Sequence, residues 1–179
     1  MKRIFAFLFA IASLWIPHLC FAGISDYPTV AVVPVVNQVT TRSIPETELD
    51  IARDTLNTDL FQSGYFNMVE RARVDALISE FEFDMSGLVD TSTAAKFGKM
   101  LGAQYVVIGS VTGLSIDPKN RGKMVANISA RMVEVETARI ALAGRGKGVG
   151  SSTSEALEAA SDDAIEGNRG MLMMLRGGK

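Results

Sequence analysis

The chain of 179 residues holds one histidine, one cysteine and one tryptophan. All three, Trp15, His18 and Cys20, stand near its start. From Phe21 onward the sequence therefore offers no disulfide, no thiol nucleophile, no imidazole for general acid–base work or a Ser-His-Asp triad, and no Cys/His zinc site. Aromatics make up 7% of the chain, and no basic run interleaves with them, which leaves nucleic acid without a recognisable footprint. Apart from the first residues there is no long apolar run, no internal repeat and no low-complexity linker.

That first run is informative. Lys2 and Arg3 precede an apolar stretch from Ile4 to Ile16, closed by Pro17. It falls short of the roughly twenty residues that a membrane-spanning helix needs. Cys20-Phe21-Ala22 then sets small residues at the −3 and −1 positions of a signal peptidase site. The expectation is a signal over 1–22, cleaved between Ala22 and Gly23, with export to the periplasm and no transmembrane segment afterwards. A lipidated Cys20, making an outer-membrane lipoprotein, is the lesser alternative, because Pro17-His18-Leu19 lacks the small residue wanted before such a cysteine. With Lys2 and Arg3 removed, the 18 Lys+Arg become 16 against 20 Asp+Glu, a net charge of −4. Residues 23–179 are enough for one domain with a real core.

Thr29 to Val36, TVAVVPVV, reads as a strand covered on both faces, with an edge or bulge at Pro34. Pro45, Glu46 and Glu48 open a helix carrying Leu49, Ala52, Leu56 and Leu60 on one face, and Ser63-Gly64 ends it. Tyr65 to Val69 is a short strand. Arg71 to Phe81 is a helix with Val74, Leu77, Ile78 and Phe81 together, broken at Ser86-Gly87. Thr91 to Leu101 is a further helix, capped by Asp90 or Thr91 and ended by Gly102. Tyr105 to Val111 is a buried strand in which Gly109 implies close backbone approach. A turn at 117–122 joins it to a strand over 123–135, and Glu136-Thr137 leads into another over 138–149. Ser151 to Ser154 caps a final helix, interrupted at Gly167-Asn168. The order β-α-β-α-α-β-β-β-α predicts an α/β (α+β) fold with helices packed on a single mixed sheet.

The segments Val69-Glu70-Arg71, Ser86-Gly87-Leu88-Val89-Asp90, and Gly98 through Gly102, Ala103, Gly109 and Ser110 to Thr112, in that order, resemble the curli secretion component CsgG and its relatives. The resemblance continues through Val133 to Ala138. It implies a periplasmic α/β domain, with a fold shared with the penicillin-binding-protein activator LpoB, no catalytic activity and a tendency to assemble. The pore-forming relatives carry long membrane hairpins. Thr112 to Lys123 has no room for one, so a membrane barrel is not expected.

Each remaining candidate has a plainer reading beside it. Gly144, Gly146, Gly148 and Gly150 around Arg145 and Lys147 suggest a phosphate loop, but the spacing departs from GxxxxGK[ST] and fits a strand face against which something packs closely. Glu70-Arg71 suits helix capping better than catalysis. Asp84, Asp90 and Asp117 match no calcium loop. Glu158, Asp162, Asp163 and Glu166 form a solvated acidic face. Met171-Leu172-Met173-Met174-Leu175 covers every side of a helical turn, and reads equally as core docking and as an interface. The sequence thus assigns no catalytic, cofactor or metal residues. It points to a non-enzymatic envelope protein working through contacts with other envelope proteins, or with its own copies, in assembly or secretion. The alternatives are an activator of cell-wall synthases and a small-molecule or nucleotide binder using residues 144–150.

Overall fold

The computed structural model describes residues 27–81 and 90–176. The expected signal with its Ala22–Gly23 site, Cys20, Asp84 and the Ser86-Gly87 break lie outside the described residues. The elements are β1 (Thr29–Val32), β2 (Val36–Asn37), α1 (Glu46–Gln62), β3 (Asn67–Met68), α2 (Arg71–Phe81), α3 (Thr91–Leu101), β4 (Tyr105–Ile116), β5 (Met124–Glu134), β6 (Ile140–Gly150), α4 (Thr153–Glu166) and α5 (Arg169–Arg176). One six-stranded sheet runs β3-β1-β4-β5-β6, with β2 also paired to β4. Pairing is parallel among β3, β1, β2 and β4 and antiparallel from β4 to β6. This is the expected mixed α+β sheet.

Two breaks refine the expected order. Pro34 has no N–H to give to the ladder, so the TVAVVPVV run splits. Val33 still donates to Val107 (3.1 Å), and pairing resumes at Val36 opposite Ser110. At the other end, the interruption at Gly167-Asn168 separates α4 from α5. β4 also continues past Val111 to Ile116, with a register shift between Val111 and Gly113 that lets it stay paired to β5.

The alternation of β1 feeds two cores. Val30 and Val32 join Leu56, Leu60, Ile128, Met132, Leu157 and Leu172 under α1, α4 and α5. Ala31 and Val33 join Val74, Phe97, Val106 and Ile108 under α2 and α3. Each fully buried large side chain contributes roughly 1.5–3 kcal/mol relative to exposure. Phe81 departs from the expected face of α2 and is 50% exposed. Burial falls along that helix, from Val74 through the half-buried Leu77 and Ile78, so its end overhangs the core. α3 forms as its sequence indicates: the Asp90 carboxylate accepts from Thr93 N–H (3.0 Å), and Gly102 closes the helix at φ +69°.

Candidate functional site

The glycines of β6 face α4. A methyl group on Gly146 would lie 1.8 Å from the Ala160 carbonyl oxygen, and one on Gly144 or Gly148 would strike the carbonyl of Ala164 or Ala156. The match is metrical. Two residues of strand advance about 6.7 Å and four residues of helix about 6 Å, so Gly144, Gly146 and Gly148 meet Ala164, Ala160 and Ala156 in antiparallel register. The hydrogen-only face is filled by helix backbone, which leaves no space there for a phosphate. Ser152 caps α4 by accepting from Glu155 N–H (3.1 Å), while the Glu155 carboxylate accepts from Ser151 N–H (2.8 Å). The reciprocal pair is a capping box set one residue wider than usual. The Ser151 hydroxyl and N–H hold that exposed carboxyl below its usual range.

The seam between α1 and α2 is built from charge. Arg71 reaches Asp50 (2.7 Å), Asp54 (2.8 Å) and Asp75 (3.3 Å). The Asp50 hydrogen bond, reinforced by Asp54 and opposed by burial, raises its already high pKa. The Val69-Glu70-Arg71 motif therefore ties two helices together, while the Glu70 carbonyl accepts from Arg73 and Val74 to start α2. Behind Arg71 sits Arg53, only 3% exposed, donating from Nε to the Val32 carbonyl (3.2 Å) and from Nη1 to Asp75 (2.6 Å). Its Nη2 is buried and has no hydrogen-bond partner among the described residues. Arg53 lines a cleft of about 430 Å³ walled by Pro34, Val35, Val36, Leu49 and Ile78. Sequence reasoning passed over Arg53. The available signal was its place, four residues after Leu49 and three before Leu56, inside the apolar stripe of α1.

A second feature that the sequence concealed joins α1 to α4. Asp59 is pushed up to about 7, first by burial, then by a hydrogen bond with Asp162 and the charges of Asp162 and Glu166, against the opposing Arg169. Its Oδ2 is buried without a partner among the described residues, which favours the protonated acid over the carboxylate. Within the expected acidic face, Asp163 is also engaged, accepting from Lys147 N–H at 2.9 Å.

The remaining motif residues have packing roles. A methyl on Gly98 would meet Val106 and Val135 (2.5 Å each), which explains the close seat of α3 on the sheet. Gly109 lies under Val35 and Leu56, as its close approach implied. Ala103 and Ser110 are buried; Gly87 lies outside the described residues. Asp90 caps α3, and Asp117 accepts from Lys119 N–H (2.9 Å). Among the described residues no three His, Cys, Asp or Glu side chains converge as a metal site.

The 171–175 run divides. Leu172 is wholly buried and Leu175 packs against the same core, whereas Met171, Met173 and Met174 stay exposed, Met174 by 77%. Arg176 pins the end of α5, its guanidinium 4.6 Å from the centroid of the Tyr27 ring and hydrogen-bonded to the Tyr27 hydroxyl (2.8 Å).

What these elements define is a mixed-sheet α+β domain with helices on both sheet faces and an exposed methionine ridge at its last helix. The family model described as "Curli production assembly/transport component CsgG" matches residues 29–161, and the chain belongs to that family. Among solved structures, the PelC dodecamer from Paraburkholderia phytofirmans is similar at TM-score 0.53 and 16% identity, covering 79% of this chain and 87% of that one. The LpoB C-terminal domain from Salmonella enterica is similar at TM-score 0.51 and 22% identity, covering 70% and 85%. Lipoprotein GNA1162 from Neisseria meningitidis is similar at TM-score 0.54 and 16% identity, covering 67% and 78%. These likenesses establish a shared fold. No curated protein sequence matches the chain. No helix among the described residues is long and apolar enough to cross a membrane.

Proposed function

We propose that this protein is exported through its N-terminal signal and acts without catalysis, by contacts with other envelope proteins and with its own copies, in assembly or secretion at the cell envelope. The observation that carries this reading is the CsgG family match, which spans β1 to α4. Two features support it. The similar PelC structure is described as a dodecamer, and α5 of this chain leaves Met171, Met173 and Met174 exposed on a helix whose other side is docked. The turn between β4 and β5 is short, with Asp117 N–H bonded to the Lys123 carbonyl (2.8 Å), which supports a hairpin without further strands inserted at its tip.

The test is fractionation of cells producing the tagged full chain, followed by intact mass and by sedimentation of the purified product. The expected result is a periplasmic species beginning at Gly23 that self-associates. A chain kept in the cytoplasm with residues 1–22 intact overturns the reading. A mass carrying acyl chains on Cys20 replaces the soluble form with the lipoprotein.

A further inference from the structure

We propose that the face of the β5–β6 hairpin turned away from α4 is a docking surface for a second copy of this chain, which lays its α1–α4 helix layer across Arg145 and Lys147. This deepens the contact reading above and rests on its self-association. The face follows from the strand period. Gly144, Gly146, Gly148 and Gly150 meet α4, so Ala143, Arg145, Lys147 and Val149 project from the opposite side of the sheet. All four are exposed. Register sets Asn127 beside Lys147, Ser129 beside Arg145 and Arg131 beside Ala143. Glu134, the one carboxylate of the two strands, is registered on Tyr105 and falls on the other face. The core under α2 and α3 reaches β5 at Val133 and includes no residue of β6. Among the described residues neither Arg145 nor Lys147 has an ion-pair partner.

The occupant is argued from the far side of the same molecule. There α1 and α4 carry five carboxylates each, against a single cation, the buried Arg53. Asp54, Asp59, Glu158 and Asp162 converge on a cleft of about 400 Å³ between the two helices. Arg71 engages Asp54, whereas Glu158 and Asp162 form no ion pair among the described residues. At its β5–β6 end the domain is thus basic on one side and acidic on the other. A two-fold contact on either side would set like charges together, and front-to-back stacking sets unlike charges together. The contact is therefore heterologous, the kind that closes into a ring or runs on as a filament. The spacing agrees, since Glu158 and Asp162 lie about 6 Å apart along their helix and Arg145 and Lys147 about 6.7 Å apart along their strand. Asp163 accepts from Lys147 N–H (2.9 Å), which closes the β6 edge there and leaves the face to the neighbour. An anionic membrane would answer the basic side alone.

The test is sedimentation of the mature protein at about 50 and about 500 mM salt, together with charge-reversed variants. Association of the wild type should weaken about tenfold at the higher salt. Arg145→Glu with Lys147→Glu should give a folded monomer, and so should Glu158→Lys with Asp162→Lys. An equimolar mixture of the two variants should associate again, because the reversed strand of one then meets the reversed helix of the other. Should the glutamates prevent folding, Arg145→Gln with Lys147→Gln decides in their place, with association weakened about tenfold. Association that survives loss of both cations overturns the surface and leaves the contact reading standing. A mixture that stays monomeric, or a wild type that binds anionic vesicles without self-associating, overturns the second copy as occupant. A wild-type monomer at both salt concentrations overturns the surface together with the self-association on which it rests.

Discussion

The two helix seams of this molecule reach close packing by opposite means. Between β6 and α4 the side chains are removed: glycines on the strand face alanines on the helix, and backbone meets backbone. Between α1 and α2 they are retained and charged, with Arg53 and Arg71 shared among Asp50, Asp54 and Asp75. The first seam is steric. Its glycine face admits no added atom, and carboxylates enter only at its margins, where Asp163 accepts from Lys147 N–H and Glu155 from Ser151. The second is electrostatic, tolerates change at its exposed members, and keeps one donor unmatched. A seam closed by shape answers to added volume, and one closed by charge answers to the loss of either partner.

The comparison breaks most sharply at Gly146. Gly146→Val places branched carbon inside the Ala160 carbonyl, which helix backbone cannot yield without α4 lifting off. The expected loss is on the order of 3 kcal/mol or more, read from the urea midpoint, with no relief at high salt. A loss under 1 kcal/mol would mean that α4 is not seated on the glycines.

Arg53→Ala tests the charged seam. It removes a buried cation whose partner, Asp75, is partly exposed and still held by Arg71. The expected cost is about 2 kcal/mol, because Arg71 and water share the orphaned carboxylate. Arg53→Met should cost less than Arg53→Ala, since apolar volume replaces the ion without a cavity. The reverse order would show that the site does not accept apolar volume in place of the ion.

Between these extremes lies the Asp59–Asp162 contact. The Asp59 pKa is raised from 3.8 to about 7. Between these values the folded chain holds a proton that the unfolded chain has released. The contribution of this group is therefore full below about pH 4, declines as pH rises through the folded pKa and is gone above it. Because Asp59 is partly exposed, the swing is about 1 kcal/mol after screening. Asp59→Asn should flatten the difference in unfolding free energy between pH 5 and pH 8 and stabilise the protein at the higher value. An unchanged slope would mean that Asp59 titrates normally.

Period and punctuation carried most of the fold into the sequence. The spacing of Gly144, Gly146, Gly148 and Gly150 is a strand period, so a close-packed face was legible although its partner helix was not. Asp90, Gly102 and Ser152 act locally, and their caps stand where the chain places them. What stayed hidden depends on distant chain. Arg53 reads as one more surface charge until Val32 and Asp75 are brought to it, and nothing near Asp59 announces Asp162. Phe81 fits the apolar period of its helix, yet burial depends on what lies opposite, and α2 outruns its core there.

The smallest expected effect on stability concerns α5, where a single turn contains both kinds of surface. Leu172 is buried in the main core, so Leu172→Asp strands a charge there and should unfold the domain. Met173→Asp with Met174→Asp alters side chains that are 60% and 77% exposed, and should shift the unfolding midpoint by no more than about 0.5 kcal/mol. Sedimentation gives the discriminating readout. If the methionine ridge is the contact between copies, the double variant moves the protein toward monomer while circular dichroism stays unchanged. A folded double variant that associates as strongly as the wild type would remove the ridge from the interface.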